Sequence, residues 1–286
     1  MPELPEVETI RRGLAPALEG QSIAKVTLNR PDLRFPLPKA MKKRLEGAMI
    51  GALGRRAKYL LMPLDRAETL IIHLGMSGRM LIEAEETDQP GAFHHDITRL
   101  KQHDHVILTL KSGARLIYND PRRFGFMLLE KTDSLDEHPA FAGLGPEPLG
   151  NHCHAQGLHD ALLLKKTPLK SALLDQRVIA GLGNIYVCEA LNRAFLSPFR
   201  IANTLALHEV EALLAAIRAV LEAAIIAGGS TLRDYRREDG ALGYFQHDFR
   251  VYDREGHACR NLDCKGVISR AVQAGRSSFF CATCQR

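Results

Sequence analysis

Residues 58–76 read Lys58-Tyr59-Leu60-Leu61-Met62-Pro63-Leu64-Asp65-Arg66-Ala67-Glu68-Thr69-Leu70-Ile71-Ile72-His73-Leu74-Gly75-Met76. Two β-rich runs, Tyr59 to Leu64 and Thr69 to Leu74, lie too close together for a helical crossover, so they predict antiparallel neighbours. Working outward, the same texture covers Ile23 to Leu28, Arg79 to Ile82, Val106 to Leu110, Arg115 to Tyr118 and Phe126 to Leu129. Turn residues at Gly75, Ser112-Gly113 and Asn119-Asp120-Pro121 separate several of the runs. The stretch from Ser22 to about Glu130 therefore predicts an antiparallel sandwich or barrel.

Either side of it the pattern is helical. Val7, Ile10, Leu14 and Leu18 recur at helical spacing, and Pro16 is expected to kink or end that helix. From Lys131 to Asn151, Pro139, Gly143-Leu144-Gly145-Pro146, Pro148 and Gly150 break any regular pattern and suggest a linker. Thr167-Pro168 opens a short helix through about Asp175. Gly181-Leu182-Gly183-Asn184 makes a tight turn into a second helix, Ile185 to Arg193. A third helix carries Val210, Leu213, Leu214, Ile217, Val220, Leu221 and Ile225 on one side and stops at Gly228-Gly229.

The 286 residues suffice for two domains, and a 45% hydrophobic content excludes a disordered chain. The third helix carries Glu211, Arg218 and Glu222, which argues against a membrane span. The acidic, proline-containing start lacks signal-peptide features, and a cytoplasmic location is expected. The net charge of +5 suits a polyanion partner without specifying one. The polar stretch 83–102, with His94-His95, reads as a loop.

Two segments carry chemistry. In Met1-Pro2-Glu3, removal of Met1 would leave a secondary α-amine beside a carboxylic acid. An uncharged amine can attack a sugar carbon and form a Schiff base. The plainer reading is that Pro2 and Pro5 only start a helix. Near the other end, Cys259-x4-Cys264 and Cys281-x2-Cys284 present four thiols for tetrahedral Zn²⁺, a closed structural site. Lys265, Arg270 and Arg276 lie between the pairs, on a hairpin suited to a phosphate backbone. Cys153 and Cys188 read as ordinary thiols.

Met1 to Thr9, Lys58-Tyr59-Leu60-Leu61, His73-Leu74-Gly75-Met76-Ser77-Gly78, Asn119-Asp120-Pro121-Arg122-Arg123-Phe124-Gly125, Gly181-Leu182-Gly183-Asn184-Ile185-Tyr186 and the cysteine tail together resemble formamidopyrimidine-DNA glycosylases. The resemblance implies a DNA-repair enzyme that flips out and removes oxidised purines such as 8-oxoguanine and formamidopyrimidines, then cleaves the abasic strand by β- and δ-elimination. It implies Pro2 as nucleophile, Glu3 as the supplier of protons around sugar-ring opening, Glu6 in support, Lys58 near the phosphates and the elimination chemistry, and Arg276 as a proton donor in the δ-elimination. Met76, Arg122 and Phe124 resemble gap-filling residues. His73, His103, Lys166, Asn184, Tyr252 and Arg276 match DNA-contacting positions, and Ser230, Thr231 and Arg233 open a loop that resembles the one closing over the lesion.

The implied fold is a multidomain α+β chain: a catalytic N-terminal helix and β-sandwich (1–135), a linker (136–160), a helix-two-turn-helix domain with the lesion loop (161–246) and a zinc-finger hairpin (247–286). One structural Zn²⁺, damaged double-stranded DNA as partner, no membrane and a monomer are expected. Leu4 resembles the purine-lesion branch rather than the endonuclease VIII branch, where glycine is usual. The sequence departs from the family pattern in the longer 83–102 stretch, the four-residue first knuckle and Ala274-Gly275-Arg276-Ser277-Ser278-Phe279. A non-catalytic zinc-containing DNA-binding protein would account for the tail and the charge but not for Pro2-Glu3.

Overall fold

The structure is a computed structural model and describes residues 2–83, 100–230 and 244–286. The chain divides into two compact units, Met1–Phe141 with Ala227–Tyr244, and Ala142–Ile226 with Phe245–Arg286.

The first unit opens with α1 (Leu4–Leu18), which buries Leu4, Val7, Ile10, Leu14 and Leu18. Pro5 suits the first turn, where its missing N–H would have no helical partner in any case. Pro16 does not stop the helix at once. It lies in the last turn, the chain leaves the helix at Glu19, and the Glu19 N–H closes onto the Ala15 carbonyl at 3.0 Å.

The helix is followed by β1 (Ile23–Leu28), α2 (Met41–Leu45), β2 (Gly54–Arg56), β3 (Tyr59–Pro63), β4 (Glu68–His73), β5 (Arg79–Glu83), β6 (Asp104–Leu110), β7 (Arg115–Asn119) and β8 (Phe126–Lys131). They form two four-stranded antiparallel sheets, ordered β1-β6-β7-β5 and β2-β3-β4-β8. The two runs of residues 58–76 pair with each other, from Tyr59 opposite His73 to Pro63 opposite Thr69.

Alternate residues of both sheets share one core. Val26, Leu108 and Leu116 of one sheet join Leu60, Met62, Leu70, Ile72 and Leu129 of the other, with Val7, Ile10, Leu14 and Leu18 of α1. This is the expected sandwich, with α1 packed into the same core. Strand β2 gave no sequence signal because it is only Gly-Arg-Arg and is held by pairing with β3.

The second unit contains α3 (Ala155–Leu163), α4 (Leu169–Leu174), α5 (Asn184–Arg193) and α6 (Leu207–Ile226), then the hairpin β9 (Ile268–Gln273) and β10 (Arg276–Cys281). Pro168 is itself the cap of α4, so that helix begins one residue later than expected. Helix α6 buries the predicted face from Val210 to Ile225. Among the described residues, no helix is long and apolar enough to cross a membrane.

Candidate functional site

In the first unit, Pro2 and Glu3 are buried where α1 begins, and Glu3 is its N-cap. The Glu3 N–H donates to Glu6 Oε2 at 2.8 Å. Glu6 Oε1 accepts from the Ser230 N–H at 2.9 Å and the Ser230 hydroxyl at 3.1 Å. Glu6 is only 2% exposed, and these bonds compensate a carboxylate removed from water. Thr231 and Arg233 lie outside the described residues.

Lys58 is buried in the tight connection from β2 to β3, next to Ala57, whose φ of 51° is left-handed. Arg55 Nη1 donates to the Ala57 carbonyl at 2.9 Å, and Arg55 Nε lies 3.3 Å from Glu8 Oε2. Glu8 also holds Arg11 and Arg12, each at 2.8 Å. Burial pushes the Glu8 pKa up, but the arginine hydrogen bonds and charges outweigh it and bring the carboxyl down to about 2. Glu8 thus ties the first helix to the Lys58 turn. The helical pattern alone assigns Glu8 to the solvent side of α1, so periodicity hides this role.

At the end of β4, His73 stacks on Phe126 with ring centroids 5.0 Å apart and planes 16° apart, and Tyr59 packs on it at 5.1 Å. The Gly75 N–H donates to His73 Nδ1 at 3.1 Å, so the neutral ring carries its proton on Nε2. Burial, then the charges of Lys58 and Arg34, lower its pKa to about 4.

Met76, Arg122 and Phe124 are exposed on two loops of this unit, with the Arg122 guanidinium 4.7 Å above the Phe124 ring. The loops meet at backbone distance. Gly75 has φ +64°, and a Cβ on it would stand 2.3 Å from the Phe124 carbonyl carbon. Beside them, a cavity of about 490 Å³ is lined by Leu33, Arg34, Arg122, Arg123 and Phe124. His103 occupies the short turn before β6.

In the second unit, Lys166 is exposed between α3 and α4. Asn184 begins α5 and donates Nδ2 to the Ser277 carbonyl at 2.9 Å. Lys170, which sequence reasoning passed over, is buried and donates to the same carbonyl at 2.8 Å and to Ser278 Oγ at 2.7 Å. Buried Glu189 was also missed; it accepts the backbone N–H groups of Arg250, Val251 and Tyr252 at 2.8–2.9 Å. A charged residue inside each apolar helix pattern was the available signal.

The Tyr252 ring packs between Phe249 and Phe279. Arg276 is exposed just past the hairpin turn, where Ala274 and Gly275 are both left-handed, at φ 48° and 74°.

The Sγ atoms of Cys259, Cys264, Cys281 and Cys284 all lie within 4.8 Å of one another, with Cys259–Cys284 at 3.7 Å and Cys264–Cys281 at 3.6 Å. Zn–S bonds of about 2.3 Å at tetrahedral angles place sulfurs ~3.8 Å apart, so the cluster fits one zinc ion. The longer first knuckle does not disturb it.

Three family models match the chain: the formamidopyrimidine-DNA glycosylase N-terminal domain over residues 1–127, the H2TH domain of the same enzymes over 144–236, and the zinc finger found in FPG and IleRS over 256–286. Curated formamidopyrimidine-DNA glycosylases of Dinoroseobacter shibae and Phenylobacterium zucineum are each 58% identical, with all of both chains covered. Among solved structures, the MutM (Fpg) protein of Thermus thermophilus is 41% identical with a TM-score of 0.83, covering 99% of this chain and 98% of that one. A Lactococcus lactis Fpg in complex with DNA containing an abasic site is 32% identical with a TM-score of 0.86, covering 99% of each chain.

Proposed function

The chain belongs to the formamidopyrimidine-DNA glycosylase family, and from that premise we propose that Pro2, freed of Met1, is its nucleophile. The protein is a base-excision-repair enzyme, a glycosylase of oxidised purines with abasic-site lyase activity, and its four-cysteine cluster is the site of one structural zinc ion. The residue roles are our reading. They rest above all on the placement of buried Pro2 and Glu3 at the start of α1, with the Glu6 carboxylate bonded to the Glu3 N–H.

In this reading the lone pair of the Pro2 amine attacks C1′ of the damaged nucleotide, and the bond from C1′ to the base breaks. Glu3 delivers a proton to the opening sugar ring. The resulting iminium withdraws electrons from C2′, so loss of a C2′ proton expels the 3′ phosphate, and a second elimination expels the 5′ phosphate. Lys58 stabilises the phosphate charge in these steps, and Arg276 donates a proton in the second.

The base must leave the stack before attack, at a cost of about a few kcal/mol. Met76 and Phe124 fill the gap, and Arg122 hydrogen-bonds to the orphaned partner base. His73, His103, Lys166, Asn184 and Tyr252 hold the strand through its phosphates. Ser230, Thr231 and Arg233 begin the loop over the lesion. The partner is damaged duplex DNA, and the enzyme acts as a cytoplasmic monomer.

Borohydride added during incubation with a duplex carrying 8-oxoguanine opposite cytosine should trap a covalent protein–DNA adduct. An adduct that persists undiminished after Pro2→Gly with Glu3→Gln, or no adduct with processed protein, would overturn the assignment. Faster release of thymine glycol than of 8-oxoguanine would place the enzyme with the pyrimidine-lesion branch.

A further inference from the structure

Asp120 is fully buried, and its bonds reach the residues that adjoin Met76 and Phe124 in the chain. Its Oδ1 accepts from the Ser77 hydroxyl at 2.5 Å, and its Oδ2 accepts from the Gly125 N–H at 2.9 Å and the Tyr118 hydroxyl at 3.1 Å. Its backbone N–H donates to the His103 carbonyl at 3.1 Å, while its carbonyl accepts from the Arg123 N–H at 3.2 Å and from His105 Nε2 at 2.9 Å. Ser77 Oγ in turn accepts the Arg122 N–H at 3.1 Å.

Ser77 follows Met76 in the chain, and Gly125 follows Phe124. One carboxylate therefore holds the residue next to two of the three proposed gap fillers, Ser77 by its hydroxyl and Gly125 by its backbone N–H, and reaches the third through the same hydroxyl. The packing leaves no slack at this node. A Cβ on Gly125 would stand 1.8 Å from the Tyr118 hydroxyl, and Arg123 is held at a left-handed φ of 54°. Burial and the Asp120 charge raise the Tyr118 pKa, so the phenol remains a donor.

We propose that Asp120 is a positioning residue that, through Ser77 and Gly125, presets Met76, Arg122 and Phe124 as one wedge before DNA arrives. The proposal rests on the gap-filling reading given above. Its physical content is preorganisation: a wedge already ordered need not be immobilised while the base is leaving the stack. A merely structural Asp120 would change stability without favouring one substrate over another.

The test compares single-turnover rates of Ser77→Ala, Asp120→Asn and Tyr118→Phe on two duplexes. One carries 8-oxoguanine paired with cytosine, where a stacked base must be displaced. The other carries a preformed abasic site, where none must. Misplacement at this scale should slow excision by about tenfold or more while lyase cleavage of the abasic duplex changes by less than about threefold. Ser77→Ala added to Asp120→Asn should cost little more than Asp120→Asn alone, since both cut the same network.

Circular dichroism and zinc content identify folded variants. Ser77→Ala removes one oxygen and keeps the test open if Asp120→Asn does not fold. Equal losses on both duplexes in a folded variant, or no loss on either, would overturn the proposal. A wild-type chain freed of Met1 that neither releases 8-oxoguanine nor forms a borohydride adduct would overturn the glycosylase assignment and this proposal with it. A trapping-competent wild type with unaffected variants overturns the wedge alone.

Discussion

Glu6 Oε1 accepts both the backbone N–H of Ser230, at 2.9 Å, and its hydroxyl, at 3.1 Å, across 224 residues of sequence. The other oxygen caps Glu3. A carboxylate accepts at both ends, whereas an amide must present N–H at one of them. Glu6→Gln is therefore expected to place a donor against a donor and cost on the order of 1–3 kcal/mol, as buried unsatisfied groups do. Denaturant unfolding monitors the stability, and single-turnover excision should fall in parallel. An unchanged midpoint would mean that the Glu6–Ser230 clamp adds nothing to stability.

The sandwich was legible in the sequence because each strand of Tyr59–Pro63 and Glu68–His73 alternates or fills with apolar residues, and the intervals exclude crossovers. The zinc centre was legible because cysteine pairs have few other uses in so short a segment. What stayed hidden is burial of charge. Glu8 looks like a solvated helix residue, and although Lys170 and Glu189 stand out as charges among apolar helix positions, nothing local names their partners, which are far away in sequence: Lys170 with Ser277, Glu189 with Tyr252. No local pattern encodes a hydrogen bond spanning 107 residues.

Glu8 predicts acid sensitivity. Its folded pKa of about 2 lies below the ordinary 4.5, so its contribution is fully present above about 4.5 and is lost as pH falls through 2. Glu8→Gln should lower stability at pH 7 by roughly 1–3 kcal/mol and flatten the pH dependence between 5 and 2. Urea midpoints across that range check it. Parallel curves for wild type and variant would show that the three arginines are not held by this carboxylate.

His73 acts in a higher window. Its pKa is lowered from 6.5 to about 4, so between these values the unfolded chain binds a proton that the folded chain refuses. The stability that neutral His73 permits is present above 6.5 and declines as pH falls towards 4. NMR titration of the ring should leave it neutral at pH 5.5 with the proton on Nε2. Ring protonation with a midpoint near 6.5 would contradict this burial. If the neutral ring donates Nε2–H to a phosphate, DNA affinity should not rise through His73 as pH drops from 8 to 6.

The zinc hairpin separates scaffold from contact. Cys264 belongs to the four-sulfur cluster, whereas Arg276 stands exposed past the turn at the start of β10, with Ser277 beside it bonded to Lys170 and Asn184. Metal analysis should find one zinc per chain. Cys264→Ser or chelation should remove it and weaken DNA binding, because so short a segment depends on the metal for its fold. Arg276→Ala should retain zinc, lose affinity and reduce the slope of log affinity against log salt by about 1, the signature of a lost phosphate contact. It should also leave more β- than δ-elimination product on an abasic duplex, if the guanidinium assists the second step. Unchanged affinity in metal-free protein would remove the scaffold role. An unchanged salt slope in Arg276→Ala would remove the phosphate contact and leave the four thiolates as a purely structural device.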